Sequence, residues 1–343
     1  MIGLLLVFAA AVILTSRIHV KGLDENYLSK AYTQPIKGLF VGIVFLSHIR
    51  TYTEYVSEGD LFTIQVLNYL GQLMVALFLF YSGYGIYEAI KRKGYEYVRM
   101  IPKNRIGKTY FDFAFAILLF LIVNACLGIF YPVKRILLSL VAWSAVGNSA
   151  WYMFAVFSLY ILSYLCFSVF RNNRFIAILA MSFCSLAYVY IFSIIKENYW
   201  SSTYLCFVAG MWYSYFKAYI DKILKKSPIL YYIGVVGVFI MYQYFFKIRY
   251  RRLLMFNLVA ILFCLLFVFL SMKFSIKSKG LTWMGDRLFW VYILQRIPML
   301  VLDHIGFADK HPYIYLYLCF GVTIILAYYI DILTKKIKEK IWR

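Results

Sequence analysis

Apolar runs long enough to cross a bilayer recur along the whole chain, separated by short polar and basic stretches. A helix needs roughly 17–25 such residues to span the hydrocarbon core. Hydropathy predicts spans at 3–16, 36–52, 64–90, 109–130, 150–170, 175–195, 200–218, 228–246, 253–272, 285–303 and 313–333. Lipid offers no water to free backbone groups, so these runs must be helices. The stretch "YPVKRILLSLVAWSAVGNS" (131–149) holds too short an apolar run to span, and an amphipathic or re-entrant piece is predicted on the outer side. No internal repeat or inverted pair of broken helices is visible, which weighs against a secondary transporter. The predicted fold class is all-α: a polytopic integral membrane bundle of about 10–11 transmembrane helices, one domain over residues 1–343.

Composition sharpens this. The 343 residues are 64% hydrophobic and only 15% charged, against about 45–50% and about 25% in soluble domains, so a soluble protein is excluded. The net charge of +21 would suggest nucleic acid in a soluble chain. Here the cations fall in short loops between spans, where they set topology, so no nucleic-acid partner is inferred. The loop "KRKGYEYVRMIPKNRIGK" carries seven cations against Glu96 alone and is predicted cytoplasmic. Counting from it puts "RNNR", "KAYIDKILKK", "KFSIKSK" and the C-terminal tail "KKIKEKIWR" inside, and Glu54, Glu58 and Asp60 outside. One loop breaks the rule: "KIRYRR" (247–252) falls outside with four cations. Either a span is miscounted there or the outer face has a reason to be basic. The first run, "GLLLVFAAAVILTS", has no Lys or Arg before it and is read as a short retained helix. The six cysteines lie in apolar runs with no Cys/His spacing suited to a metal, and are read as buried, inert thiols.

The polar residues inside "KGLFVGIVFLSHIRTY" (37–52) carry the chemistry. At 100° per residue, the eleven-residue step from Lys37 to His48 returns to within about 20° of one helix face, about 16 Å along the axis. Tyr52, four residues on, shares the His48 face. His19, His304 and His311 fall in loops or at span edges, leaving His48 as the intramembrane histidine. An ionisable residue at that depth is functional by default, although a snorkelling lysine and an interfacial histidine are the plain alternative.

The Lys37-x10-His48 pair resembles the Arg/Lys-x10-His signature of the acyltransferase 3 family, membrane enzymes that acylate sugars and related acceptors. Four further stretches resemble that family in order. "FLFYSGYGIYEAIKR" (78–92) is similar to its aromatic-x-x-Ser-Gly-Tyr helix end, through Ser82 and Gly83. "NRIGKTY" (104–110) resembles its Arg-x-x-Arg/Lys stretch, through Arg105 and Lys108. "NSAWYM" (148–153) is similar to its Trp-bearing helix start, and "WMGDRLFWVYILQRIPM" (283–299) resembles its late helix. There Gln295 stands where many members have a histidine, and Arg287 near the usual serine.

The resemblance implies acyl transfer from acetyl-CoA to a sugar hydroxyl of a capsule, exopolysaccharide or other surface glycan, or of its lipid-linked precursor. It also implies a multi-pass protein of a bacterial cytoplasmic membrane, with the acyltransferase core over 36–333 and 3–16 as an added N-terminal helix. His48 and Lys37 are then the catalytic pair, His48 as base or acyl carrier and Lys37 also able to complete the grip on the donor. Arg105 and Lys108, three apart on one helix face, suit the donor phosphates. Ser82, Tyr84, Asn148, Trp151 and Tyr292 are candidate oxyanion or orienting donors. The partners are acyl-CoA, the glycan acceptor and membrane lipid, and no metal is needed. The rival readings are a transporter or flippase for a lipid-linked glycan, and an acyltransferase for a small molecule or peptidoglycan.

Overall fold

The computed structural model describes residues 1–20 and 22–342 and is 79% helical. Its helices are α1 (Ile2–Thr15), α2 (Lys30–Ile49), α3 (Glu58–Leu70), α4 (Leu73–Lys93), α5 (Tyr95–Arg99), α6 (Lys108–Cys126), α7 (Val133–Leu140), α8 (Ala150–Val169), α9 (Arg174–Ile195), α10 (Leu205–Lys226), α11 (Pro228–Lys247), α12 (Met255–Ser271), α13 (Lys279–Asp286), α14 (Leu288–Leu294), α15 (Arg296–His304), α16 (Phe307–Lys310) and α17 (Pro312–Ile341). A wide π turn (Pro102–Gly107) leads into α6, and a 3-10 turn (Asn198–Trp200) precedes α10. Strands β1 (Ser16–Ile18) and β2 (Phe274–Ile276) pair antiparallel, with Arg17 opposite Ser275.

The chain is an all-α polytopic membrane protein, as the hydropathy pattern predicts. Among the described residues, six helical stretches are long and apolar enough to cross a membrane: α4, the π turn with α6, α8, α9, α11 and α17. The other predicted spans also contain helix but differ in make. α1 and α12 are apolar and shorter, at 14 and 17 residues. α2 and α10 carry polar turns at one end, and the late segment is broken. Leu118 and Ile122 of α6 and Ile233 and Ile240 of α11 are exposed, as suits a lipid-facing surface.

Three local departures shape the interior. The predicted span at 64–90 is cut in two at Gly71, whose φ of 47° suits a residue without a Cβ. The late segment bends at Gln295 because Pro298 has no N–H for the Leu294 carbonyl and its ring crowds that oxygen. Gln295 Nε2 donates to the Tyr292 carbonyl at 2.7 Å and occupies one acceptor beside the bend. α2 begins at Lys30, six residues before the predicted start at 36, so Lys37 lies two turns inside a helix and not at its edge. Tyr52 lies beyond the end of α2, in a turn closed by its N–H on the Ile49 carbonyl at 3.1 Å.

Glycines bring two helix pairs into backbone contact. A Cβ on Gly83 of α4 would meet the Phe207 carbonyl oxygen of α10 at 1.9 Å, and one on Gly210 would meet the Phe80 oxygen at 2.1 Å. Gly38 of α2 and Gly285 of α13 make the same reciprocal approach, at 1.8 Å from the Leu281 oxygen and 2.0 Å from the Gln34 oxygen. Small residues are what let helices approach this closely where lipid removes any hydrophobic drive between them.

The loops predicted to share a side do gather on one face. β1–β2 joins residues 16–18 to 274–276, and Lys225 pairs with Glu25 at 2.6 Å. Lys91 donates to the Ser214 carbonyl at 2.9 Å, Phe175 meets Tyr215 at 5.9 Å, and Lys338 pairs with Asp112 at 2.5 Å. The tail "KKIKEKIWR" ends in Arg343, which lies outside the described residues. On the opposite face, Thr53 Oγ1 donates to the Ala308 carbonyl at 3.2 Å and Tyr313 to Asp60 at 2.8 Å. α11 starts beside Lys225 on the first face and ends on this opposite one, with the Phe246 ring tilted against that of Tyr69 of α3 at 4.2 Å. "KIRYRR" therefore lies opposite the other basic loops, and no helix is miscounted before it. α7 and its loop are pinned on that same opposite face, where Lys196 sits 4.1 Å from the Trp143 ring and 4.6 Å from that of Trp200. One expectation about the thiols fails: Cys126, at the last turn of α6, is exposed.

Candidate active site

α2, α4, α8 and α14 surround a cavity of about 1050 Å³, open toward the face that carries β1–β2. Its wall runs from Glu25, Lys30, Arg92 and Arg105 at the mouth to Phe78, Tyr152 and Tyr292 at the deep end. The step from Arg92 to Phe78 along α4 is about 21 Å of helix rise, two thirds of a bilayer core.

The electrostatics of the mouth are one-sided. Each carboxylate on its wall is taken up by another cation: Glu25 by Lys225, Glu88 by Lys91, and Asp112 by Lys338. Lys30 is held by Asp286 at 2.9 Å. Among the described residues, Lys37, Arg92 and Arg105 have no carboxylate oxygen within 4.0 Å. Three unneutralised cations on a concave wall attract phosphate and favour bidentate contacts through the two guanidinium groups. Outside the membrane segments, Asp24 belongs to the segment flanking this mouth. Burial pulls its carboxyl up, but hydrogen bonds from Tyr32 and the Asn26 N–H, with His19 and Lys277 nearby, hold it below its ordinary value.

The predicted site residues divide. Lys37, Ser82, Tyr84, Arg105 and Tyr292 all line the cavity. Lys37 Nζ lies over the Tyr81 ring, 5.7 Å from its centre, and Ser82 Oγ is 3.1 Å from the Tyr160 hydroxyl. Arg105 is aimed by Tyr97, whose hydroxyl accepts from its Nε at 3.0 Å. His48 lies just behind the deep wall, its ring 6.3 Å from that of Tyr292, which is in turn 5.1 Å from that of Tyr152. Its Nδ1 is buried and makes no hydrogen bond among the described residues.

Lys108, Asn148 and Trp151 are not in the cavity. Lys108 lines a separate groove with Lys335, Lys338, Glu339 and Trp342. The π turn explains the separation, since its i→i+5 bonds widen the turn and three residues no longer return to one face. Asn148 is buried in the loop before α8, where its Oδ1 accepts from the Val146 N–H at 3.0 Å. Trp151 packs 5.8 Å from Tyr199, because Tyr152, the next residue of α8, takes the inward direction. Arg287, near the usual serine position, is spent on Asp331 at 3.2 Å.

Sequence reasoning missed Arg92, Tyr97, Tyr152 and Tyr160. Arg92 was visible only as one cation of a basic loop. The three tyrosines lie among 33 in the chain, with no signal to single them out. Among the described residues, no group of three or more His, Cys, Asp or Glu is placed to hold a metal ion.

No curated protein and no solved structure matches this chain. Residues 36–332 match the acyltransferase domain of the acyltransferase 3 family. That span begins at the residue before Lys37 and includes every cavity helix from Ile36 onward, and by this match the chain belongs to the acyltransferase 3 family and is a membrane acyltransferase.

Proposed function

We propose that the protein moves an acetyl group from acetyl-CoA to a sugar hydroxyl of an exported or cell-surface polysaccharide, or of its lipid-linked precursor. The observation that carries this reading is the cavity with unneutralised Lys37, Arg92 and Arg105 on its wall and His48 behind its deep end. The face bearing the mouth is cytoplasmic in this reading, which puts the C-terminus inside the cell and the donor on the side where acyl thioesters are made. The protein is then a multi-pass protein of the bacterial cytoplasmic membrane.

The donor fits the cavity: its phosphates meet Arg105, Arg92 and Lys37 near the mouth, and its thioester reaches toward Tyr152 and Tyr292. His48 takes the proton of the acceptor hydroxyl as its oxygen attacks the thioester carbonyl. Tyr292, with Ser82 and Tyr84 further out, offers hydroxyl donors to the developing oxyanion. The C–S bond then breaks, and the leaving thiolate takes the proton back through His48, so the products are the sugar ester and free CoA.

Membranes carrying the protein should release CoA from acetyl-CoA only when a glycan acceptor is present. His48→Ala and His48→Gln should lower that release by about 100- to 10,000-fold, the share of a positioned general base, with the protein still present in the membrane. Normal turnover in a well-expressed His48→Ala protein would remove His48 from the mechanism. Glycan movement across the bilayer without thioester consumption would turn the reading into a transporter.

A further inference from the structure

The bend at Gln295 leaves an unusual group of side chains beside His48. Among the described residues, His48 Nδ1, Gln295 Oε1 and Arg296 Nε are all buried and find no hydrogen-bond partner. Gln295 is fully buried, whereas His48, Arg296 and Tyr52 are only partly so. Among the described residues, no carboxylate oxygen comes within 4.0 Å of the Arg296 guanidinium. Arg296 follows Tyr292 by one helical turn, the Tyr292 ring lies 6.3 Å from that of His48, and the Tyr52 hydroxyl is within hydrogen-bonding reach of the guanidinium. Asp303, two turns further along α15, is exposed to solvent.

A guanidinium inside a membrane bundle is expensive and is normally paired. Here it faces a histidine and two phenols, all able to donate hydrogen bonds and none carrying negative charge. Such a group is complementary to an anion. The donor's phosphates are not that anion, because their cations lie at the Lys37 end of α2, about 16 Å of helix rise from His48. The Tyr152 and Tyr292 rings also stand between the two ends.

We propose that Arg296, with His48 and Tyr52, forms an anion-binding subsite for the acceptor, which is therefore an acidic glycan with a carboxylate or phosphate close to the hydroxyl that is acylated. This rests on the acyl-transfer reading and names the substrate class within it. The bend created by Pro298 turns Arg296 toward His48, so the acceptor's charge and its reacting hydroxyl are held side by side.

The test is calorimetric titration of the full-length protein in nanodiscs of neutral lipid, with CoA at saturation, using inorganic diphosphate and glucuronate as probes. Arg296→Gln should weaken probe binding by roughly tenfold or more, the worth of a charge-assisted hydrogen bond, and Arg296→Lys should recover part of it. CoA affinity, which Arg105→Gln should weaken instead, stays at the wild-type value in Arg296→Gln and reports that this variant is folded. If Arg296→Gln does not fold, Arg296→Lys carries the test, with diminished but measurable probe binding expected. Dependence on Arg296 for glucuronate alone assigns a uronic acid, and for diphosphate alone a phosphorylated acceptor. Failure of both probes to bind the wild type, or equal binding by the Arg296 variants, overturns the subsite. Failure of CoA to bind the wild type counts against the acyl-transfer reading instead, whatever the probes do.

Discussion

Arg105 reaches the cavity and Lys108 does not, although three residues of ordinary helix would have set them side by side. The two basic side chains should therefore separate in function. Arg105→Ala should raise the KM for acyl-CoA by about tenfold or more, since a charge-assisted contact to phosphate is lost. Lys108→Ala should leave donor dependence within about twofold, because that side chain lies in a groove apart from the cavity. Titrating acyl-CoA over membranes from each variant checks this. Equal effects would mean that the π turn relaxes to an ordinary helix when the donor binds. Tyr97 belongs to the same piece of design: its hydroxyl fixes Arg105 Nε at 3.0 Å and leaves the terminal nitrogens for a ligand.

At the scale of elements, the cavity depends on helices that touch through glycine. Gly83→Ala would push a methyl group into the Phe207 carbonyl, so α4 and α10 must separate. Overpacking of this kind costs about 1–3 kcal/mol. Gly83→Ala should lower both accumulation and thermal stability in detergent, while Gly237→Ala, whose new methyl meets nothing within 4 Å, should match the wild type. Equal melting temperatures for the two would refute the close approach. The segment between β1 and α2 holds by polar contacts instead: Tyr32 joins His19 to Asp24. Because the Asp24 carboxyl is held below its ordinary value of 3.8, its contribution is fully present above that pH and fades as pH falls through the lower, folded value. Protection of residues 16–20 and 22–29 against hydrogen exchange, taken relative to the intrinsic rate at each pH, should therefore fall on acidification below about pH 4, and Asp24→Asn should lower it already at pH 7. An unchanged exchange rate in Asp24→Asn would show that β1–β2 alone holds the segment.

At the scale of the molecule, the two faces carry different loops, and "KIRYRR" lies on the face opposite the cavity mouth. Arg249 is held there, its guanidinium 3.8 Å from the Phe246 ring and its Nη1 donating to the Phe246 carbonyl at 2.7 Å. Tyr250 is exposed. With the mouth facing the cytoplasm, a cysteine at Tyr250 should react with an impermeant thiol reagent on intact cells. The measurement is made in a background where exposed Cys126 is replaced by serine. Protection that disappears when the cells are opened would invert the whole topology and put the mouth outside, away from soluble acyl thioesters.

What the sequence determined by itself is what depends on local periodicity and transfer free energy. Apolar run length dictates helices in lipid, and charge bias groups the loops that the structure gathers on one face. The eleven-residue step from Lys37 to His48 aligns them on α2 because helical pitch is a local property. Tertiary structure alone decided the rest. It made a π turn that parts Arg105 from Lys108, and it turned Tyr152 inward and Trp151 away. It paired the mouth's carboxylates with Lys225, Lys91 and Lys338, leaving Arg92 and Arg105 without a carboxylate partner among the described residues. It also brought Arg296 close to His48, 248 positions earlier in the sequence. The physical reason is that which polar group stays unpaired is a property of the completed packing, which no run of neighbouring residues encodes.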